Sequence, residues 1–290
     1  MSHLTIRQLL ATATSTLQPV STTARLDAEL LLAHTLNWSR AQLLAERAYM
    51  PDLSQIQAFQ ASVERRLNLE PVAYIVGQRS FYGFDLLVDQ RVLVPRPETE
   101  QLVERALEIA HRVWAHDDQH MRDRSIADVG TGSGAIAVTL AMRLPEVCIY
   151  ALDISAAALA VAQSNLGRYQ LNQRVQLLHG DLLMPLSCPV DMIVSNLPYT
   201  ILSAIHADVR QHEPHLALDG GTDGLAVYRR LFKQAPQWLK PGGVVLVEIG
   251  ATQATAVSAL ARTVFPQAEM KVYRDLAGYD RIVALQTERS

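Results

Sequence analysis

The chain has 290 residues, 49% hydrophobic and 19% charged, with a net charge of −3 near pH 7 and a pI near 6.3. This balance fits a soluble protein with one large and one small domain, and it shows no global electrostatic drive toward nucleic acid. Cys148 and Cys188 are too few for a disulfide framework or a cysteine-based zinc site. No signal-peptide pattern and no membrane-length apolar run is visible, so a cytoplasmic location is expected.

From Leu4 to about Glu70 the apolar spacing is helical. Ile6, Leu9, Leu10 and Leu17 mark one segment, and Leu26, Leu30, Leu31, Ala33 and Leu36 a second, which Ser21-Thr22-Thr23 can cap. Leu43-Leu44 and then Ile56, Phe59, Val63 and Leu67 continue the pattern. Residues 1–70 are therefore expected to form a helical bundle. At Glu70-Pro71 the texture changes. Tyr74-Ile75-Val76-Gly77, Ser80 to Phe84 and Leu86-Leu87-Val88 are short, aromatic or β-branched and punctuated by glycine, and read as a β-hairpin linker over 71–98. In Val92 to Glu100, Pro95 and Pro97 hold an extended segment, and Thr99 can cap a helix running through Leu102, Val103, Ala106, Leu107 and Ile109. The same charged turn could instead sit beside a ligand. Ala115 to Arg124 reads as a solvated linker. His116 and His120 share a helical spacing but have no apolar context, so no metal site is expected.

An α/β pattern then begins within residues 99–290. Strand Ser125 to Val129 leads through Gly130-Thr131-Gly132-Ser133-Gly134 into an apolar helix from Ala135. A glycine-rich strand-to-helix turn lets a ligand approach the backbone closely. Strand Val147 to Leu152 ends at Asp153, whose carboxylate can accept both hydroxyls of a ribose; alternatively it caps the next helix, a task Ser155 can take. Strand Val175 to His179 ends at Gly180-Asp181-Leu182, where the acid can accept from an adenine amino group. Met192-Ile193-Val194-Ser195 ends at Asn196-Leu197-Pro198-Tyr199. The Asn196 side chain and the Leu197 carbonyl offer two acceptors, Pro198 restrains the backbone and Tyr199 offers a flat ring: a clamp for a planar –NH2 group. An ordinary Asn/Pro turn is the bland alternative. Four successive strand ends carrying a glycine loop, Asp, Asp and Asn argue against it. Thr200 to Asp223, including Asp208-Val209-Arg210 and Glu213-Pro214, reads as a functional loop. Helix Leu225 to Trp238, a Lys240-Pro241-Gly242-Gly243 turn, strand Val244 to Ile249 and helix Gln253 to Val264 follow. Lys271 to Arg274 and Arg281 to Leu285 complete the set as a hairpin that gives the sheet one antiparallel edge strand.

From about Glu70 to Leu285 the chain resembles the release-factor glutamine methyltransferase family. Glu70-Pro71 with Tyr74 and Gly77, Phe81-Tyr82-Gly83, Val94 to Glu100, Asp128 to Gly134, Ala151 to Ser155, Glu213-Pro214, Arg274-Asp275-Leu276 and Asp280-Arg281 carry the likeness. The resemblance implies a Rossmann-like, seven-stranded class I methyltransferase domain after a small helical bundle and a hairpin linker. It implies S-adenosylmethionine as cofactor, S-adenosylhomocysteine as product, and release factors as partners of a monomer without membrane or stable nucleic-acid contacts. Cofactor binding would fall to Gly130, Thr131, Gly132, Ser133, Gly134, Asp153, Asp181, Leu182 and Asn196, and catalysis to Asn196, Leu197, Pro198 and Tyr199. One position departs: the family tetrapeptide is Asn-Pro-Pro-Tyr, and Leu197 replaces its first proline. Asn-Leu-Pro-Tyr is similar to the motif of ribosomal-RNA adenine dimethyltransferases, which makes RNA adenine the alternative substrate. The Pro95 to Glu100 segment and the helical domain before it favour protein glutamine.

Overall fold

The computed structural model describes residues 4–114, 123–204 and 211–288. The chain divides into two compact units, Met1–Gln78 and Arg79–Ser290.

The first unit contains α1 (Ile6–Leu17), α2 (Ala24–Leu36), α3 (Arg40–Ala45), α4 (Leu53–Leu67) and α5 (Val72–Val76). Thr5 with Gln8 and Asp52 with Gln55 form capping boxes that start α1 and α4. Ile6, Leu17, Leu31, Leu32, Leu43 and Phe59 are fully buried in their common core. Two details differ from the sequence reading. Leu26 and Leu30 are exposed, because α2 turns Asp27 and Glu29 inward instead; Arg66 pairs with Asp27 at 2.9 Å, while Arg25 and Arg40 pair with Glu29. Ser21 and Thr23 bond to the Asp27 carboxylate rather than capping the helix. Tyr74 to Val76 form a helix and not a strand: Pro71 stands at the N-cap, and Gly77, at φ +76°, ends it after five residues.

The second unit begins with a hairpin, β1 (Gln78–Phe81) and β2 (Phe84–Leu87), followed by α6 (Pro97–Trp114). Pro97 occupies the first helical position, where its fixed φ helps and its missing N–H costs nothing. Thr99 therefore lies inside the first turn and is free for another task. The sheet is built from β3 (Ser125–Val129), β4 (Cys148–Asp153), β5 (Val175–His179), β6 (Val190–Ser195), β7 (Leu239–Glu248), β8 (Glu269–Arg274) and β9 (Asp280–Gln286). Helices α7 (Ala135–Arg143), α8 (Ala156–Arg168), α9 (Ala226–Trp238) and α10 (Ala254–Val264) cover it. The strand order is β5-β4-β3-β6-β7-β9-β8. Alternate residues of one strand feed opposite cores: Ile126 and Met192 pack under α6 and α7, and Ala127 and Ile193 under α9 and α10. Burial on both faces explains the near-continuous apolar runs of these strands.

Two expectations about the sheet are corrected. Lys240 to Gly243 is no turn before β7 but part of it: the register jumps from Val190↔Leu239 to Met192↔Val244, so the extra residues bulge out of the ladder. The antiparallel strand is β9, between β7 and β8, so the edge strand β8 runs parallel to the rest. The readings of residues 115–122, with His116 and His120, and of Asp208 to Arg210 lie outside the described residues. Among the described residues no helix is long and apolar enough to cross a membrane.

Candidate active site

The sheet reverses its winding between β3 and β6, the place where open α/β sheets bind ligands. Register puts Val129 beside both Leu152 and Ser195, and Asp153 beside His179. The loops after four parallel strands therefore open side by side. They line a cavity of about 480 Å³, within the usual range for a small-molecule site.

One half of the cavity is the glycine loop. Gly130 and Thr131 donate their backbone N–H groups to the Leu152 carbonyl at 2.8 and 2.9 Å. Asp128, fully buried, accepts from Thr131 Oγ1 at 2.6 Å and from Ala137 N at 3.1 Å, so one carboxyl ties strand, loop and helix start together. Burial pushes its pKa up to about 7, against the lowering effect of those two bonds. Its Oδ1 has no hydrogen-bond partner. Asp153 accepts from Gly132 N and from Ser155 N, both at 2.9 Å, and burial raises its pKa despite them. Ser155 itself caps α8 through Ala158 N, which relieves Asp153 of that task. A carboxylate offers about four acceptor directions. Two remain for hydroxyls in the cavity that Asp153 lines, so the residues present fit a ribose.

The other half is the tetrapeptide. Ser195 Oγ donates to the Val129 carbonyl at 2.5 Å and locks the end of β6 to β3. Asn196 Nδ2 donates to Thr99 Oγ1 at 3.0 Å. Tyr199 Oη donates to Glu248 Oε1 at 3.4 Å, and Gln253 Nε2 donates to the Tyr199 carbonyl at 3.1 Å. Gly224 is required here: at φ +72°, an added Cβ would lie 2.5 Å from Tyr199 O. Burial, aided by the Glu248 charge, raises Tyr199 to about 12, so its hydroxyl stays a donor. Burial also raises Glu248 to about 7, opposed by the Thr99 hydroxyl and the Arg281 charge.

The cavity brings together Gly130, Thr131, Gly132, Ser133, Asp153, Asp181, Leu182, Asn196, Leu197 and Pro198. Two expected residues do not line it. Gly134 stands behind the loop at the start of α7, where a Cβ would meet that of Ala162 at 3.3 Å; helix packing accounts for this glycine. Tyr199 is turned toward Glu248. Asp181 is ion-paired with Arg230, which shares the cavity wall. Leu197 lines the cavity, and its side chain, 2% exposed, belongs to the core beneath α9 and α10. Sequence reasoning missed Arg91, Ile154 and Arg230, and left Arg96 as one option for its turn; the Pro214 to Ala217 wall belongs to the Thr200 to Asp223 stretch expected to be a functional loop. Arg96 pairs with buried Glu213 at 2.5 Å. Both belong to the charged X-Pro steps that the sequence singled out; their pairing across 117 residues is what the fold adds. Among the described residues no group of His, Cys, Asp and Glu could hold a metal ion.

Two family descriptions match the chain: the PrmC N-terminal domain over residues 8–77 and the methyltransferase small domain over residues 106–221. A release factor glutamine methyltransferase of Moorella thermoacetica is 42% identical over 89% of this chain and 89% of its own length. One from Koribacter versatilis is 39% identical over 97% of this chain and 98% of its own. A solved methyltransferase of Pyrococcus furiosus shares the fold, with a TM-score of 0.51 and 16% identity over 79% of this chain and 98% of that one. With relatives this similar over nearly its whole length, the chain belongs to the release factor glutamine methyltransferase family.

Proposed function

We propose that the protein transfers a methyl group from S-adenosylmethionine to the side-chain amide nitrogen of the glutamine in the Gly-Gly-Gln motif of peptide chain release factors, supporting translation termination in the cytoplasm. One observation carries this reading: Asn196, Leu197 and Pro198 meet the glycine loop and Asp153 in a single cavity. Asp153, with two acceptor directions left, would hold the ribose; Asp181 and Leu182 would flank the adenine, and Gly130 to Ser133 the methionine portion. The cofactor supplies a methyl group activated on a sulfonium.

The chain's own residues supply geometry and electrostatics. A primary amide nitrogen is a weak nucleophile because its lone pair is delocalised, and it gains positive charge as it attacks. Asn196 Oδ1 and the Leu197 carbonyl would each accept one N–H of that nitrogen and stabilise the charge as it forms. The same bonds aim the nitrogen, an orientation effect. No general base is required before transfer, because the N–H becomes acidic once nitrogen is alkylated. The first unit would serve as the release-factor docking surface of a monomeric enzyme.

A labelled-methyl assay that offers a purified release factor and naked ribosomal RNA together tests the reading. Label on the release-factor glutamine is expected. Label on RNA adenine alone overturns it.

A further inference from the structure

Two strands alone make a marginal sheet in water, so the β1–β2 hairpin depends on anchors outside it. One anchor is Asn165 of α8, a fully buried amide. Asn165 Oδ1 accepts from Leu87 N at 2.7 Å, and Nδ2 donates to Leu87 O at 3.0 Å and to Ser133 O at 2.8 Å. A backbone N–H can only donate and a carbonyl oxygen can only accept, so these three bonds leave the amide one orientation. Both segments that it joins reach the cavity. Ser133 lines it from the glycine loop, and Arg91 to Leu93, Pro95 and Arg96 line it from the chain that leaves β2. Val88 and Val92 are buried, so this wall continues β2 as one packed piece. Asn165 itself does not line the cavity.

Two bonds to Leu87 would be enough to hold β2. The third, to Ser133, ties β2 to the glycine loop. Asp128 and Asp153 hold that loop at Thr131 and Gly132, from the ends of β3 and β4. Asn165 holds it at Ser133, from the hairpin side. Resting on the reading of this cavity as an S-adenosylmethionine site, we propose that Asn165 is a positioning residue that couples the hairpin to the glycine loop and so sets cofactor affinity. A cofactor that fixes the glycine loop also fixes the Ser133 carbonyl, and through the Asn165 amide it steadies Leu87. Linkage makes the effect reciprocal: order in β2 raises cofactor affinity by the factor by which cofactor raises order in β2. The hairpin is then part of the cofactor-binding machinery and more than a linker.

Hydrogen exchange and calorimetry on the full-length protein test this, with Asn165→Ala and, for comparison, Tyr169→Phe. Tyr169 Oη donates to Asp85 O at 2.9 Å, so its loss loosens the hairpin from the same helix end without touching the glycine loop. In ligand-free protein, Asn165→Ala should speed amide exchange in both 84–88 and 131–135, and Tyr169→Phe in 84–88 alone. S-adenosylmethionine should slow exchange over 84–88 in the wild type and lose that effect in Asn165→Ala. Its Kd should rise ~10-fold in Asn165→Ala, a common size for coupling between sites, and stay within about twofold in Tyr169→Phe. Turnover at saturating cofactor should fall much less than affinity. A merely structural amide would lower the melting temperature of both variants and leave their Kd values equal. That result overturns the proposal, and so does cofactor binding that leaves exchange over 84–88 unchanged in the wild type. The wild-type measurement needs no variant, so it decides even if Asn165→Ala does not fold. Wild-type protein that binds no S-adenosylmethionine defeats the cofactor reading instead. The ligand-free comparison still decides the coupling, which faster exchange in 84–88 without 131–135 overturns.

Discussion

Each half of the cavity is organised by one buried carboxyl, and the two are wired differently. Asp128 fastens the glycine loop from three residues before Thr131 and nine before Ala137. Glu248 anchors the tetrapeptide from 49 residues beyond Tyr199, and Asn196 is held by Thr99 from 97 residues before it. The glycine-loop half draws its supports from closer along the chain, from Asp128 and from the end of β4, where Asp153 lies 21 residues beyond Gly132. The tetrapeptide half is assembled from α6, the end of β7 and the turn before α10. A binding half can be local because a ribose and an adenine need fixed acceptors at strand ends. An acceptor half must place one carbonyl oxygen against one nitrogen, so its supports come from several directions.

The largest expected effect separates the halves by what they change. Asn196→Ala removes an acceptor that matters most in the transition state, and such losses cost on the order of a hundredfold or more in rate. Cofactor affinity measured by calorimetry should stay close to wild type. An unchanged kcat would show that the two halves do not divide their work in this way.

Asp128 makes a prediction about stability. Its folded-state pKa of about 7 lies above its ordinary value of 3.8, so the folded protein holds a proton that the unfolded chain has released. The contribution is fully present below about pH 4 and is lost as pH rises through 7. Asp128→Asn removes this titration, and denaturant unfolding should show a stability slope flattened by on the order of 2–3 kcal/mol over that window. Because Asp128 Oδ1 has no partner, the new NH2 breaks no existing bond. An unaltered slope would mean that this carboxyl is already ionised in the fold.

Asp153→Ala is the counterpart of the Asn196 change. Loss of the ribose acceptor leaves hydroxyls unpaired at a cost of ~1–3 kcal/mol, which is about 5- to 150-fold in cofactor Kd. Turnover at saturating cofactor should fall much less. A fall in kcat without a change in Kd would reverse the assignment of the two halves.

The same contrast explains what could be read in advance. Strands β3 to β6, the strand-end positions of Gly130, Asp153, Asp181 and Asn196, and the helical first unit follow from periodicity and local punctuation. Thr99 read as a helix cap because capping is the local use of a threonine beside a proline; its actual partner is 97 residues away. Glu248 passed unremarked inside the strand expected over Val244 to Ile249, and only the fold around it makes it a buried anchor for Tyr199. Lys240 to Gly243 read as a turn because a bulge uses the same residues as a turn, and register exists only once β6 lies alongside. Tyr74 to Val76 has strand-forming residues, but Pro71 and Gly77 confine them to one helical turn and a little more.

The smallest effect concerns Leu197, where the two halves touch. Leu197 lines the cavity, and its side chain belongs to the core that also holds Tyr228 and Phe232, with Cδ2 3.7 Å from where a Cβ on Gly130 would stand. Sequence alone presents Leu197→Pro as a gain, since it restores the family tetrapeptide and stiffens the turn. The structure adds a cost. Proline is smaller, and it leaves unfilled part of the space between the glycine loop and α9. Shortening a buried aliphatic side chain typically costs ~1 kcal/mol or more, while the restrained backbone returns a few tenths to one through the unfolded chain. Leu197→Pro should therefore lower the melting temperature by a few degrees and leave kcat equal to or slightly above wild type. Leu197→Ala, which forms the cavity without the stiffening, should melt lower still. If Leu197→Pro loses turnover but not stability, the leucine side chain serves the reaction directly and is more than a core filler behind a working carbonyl.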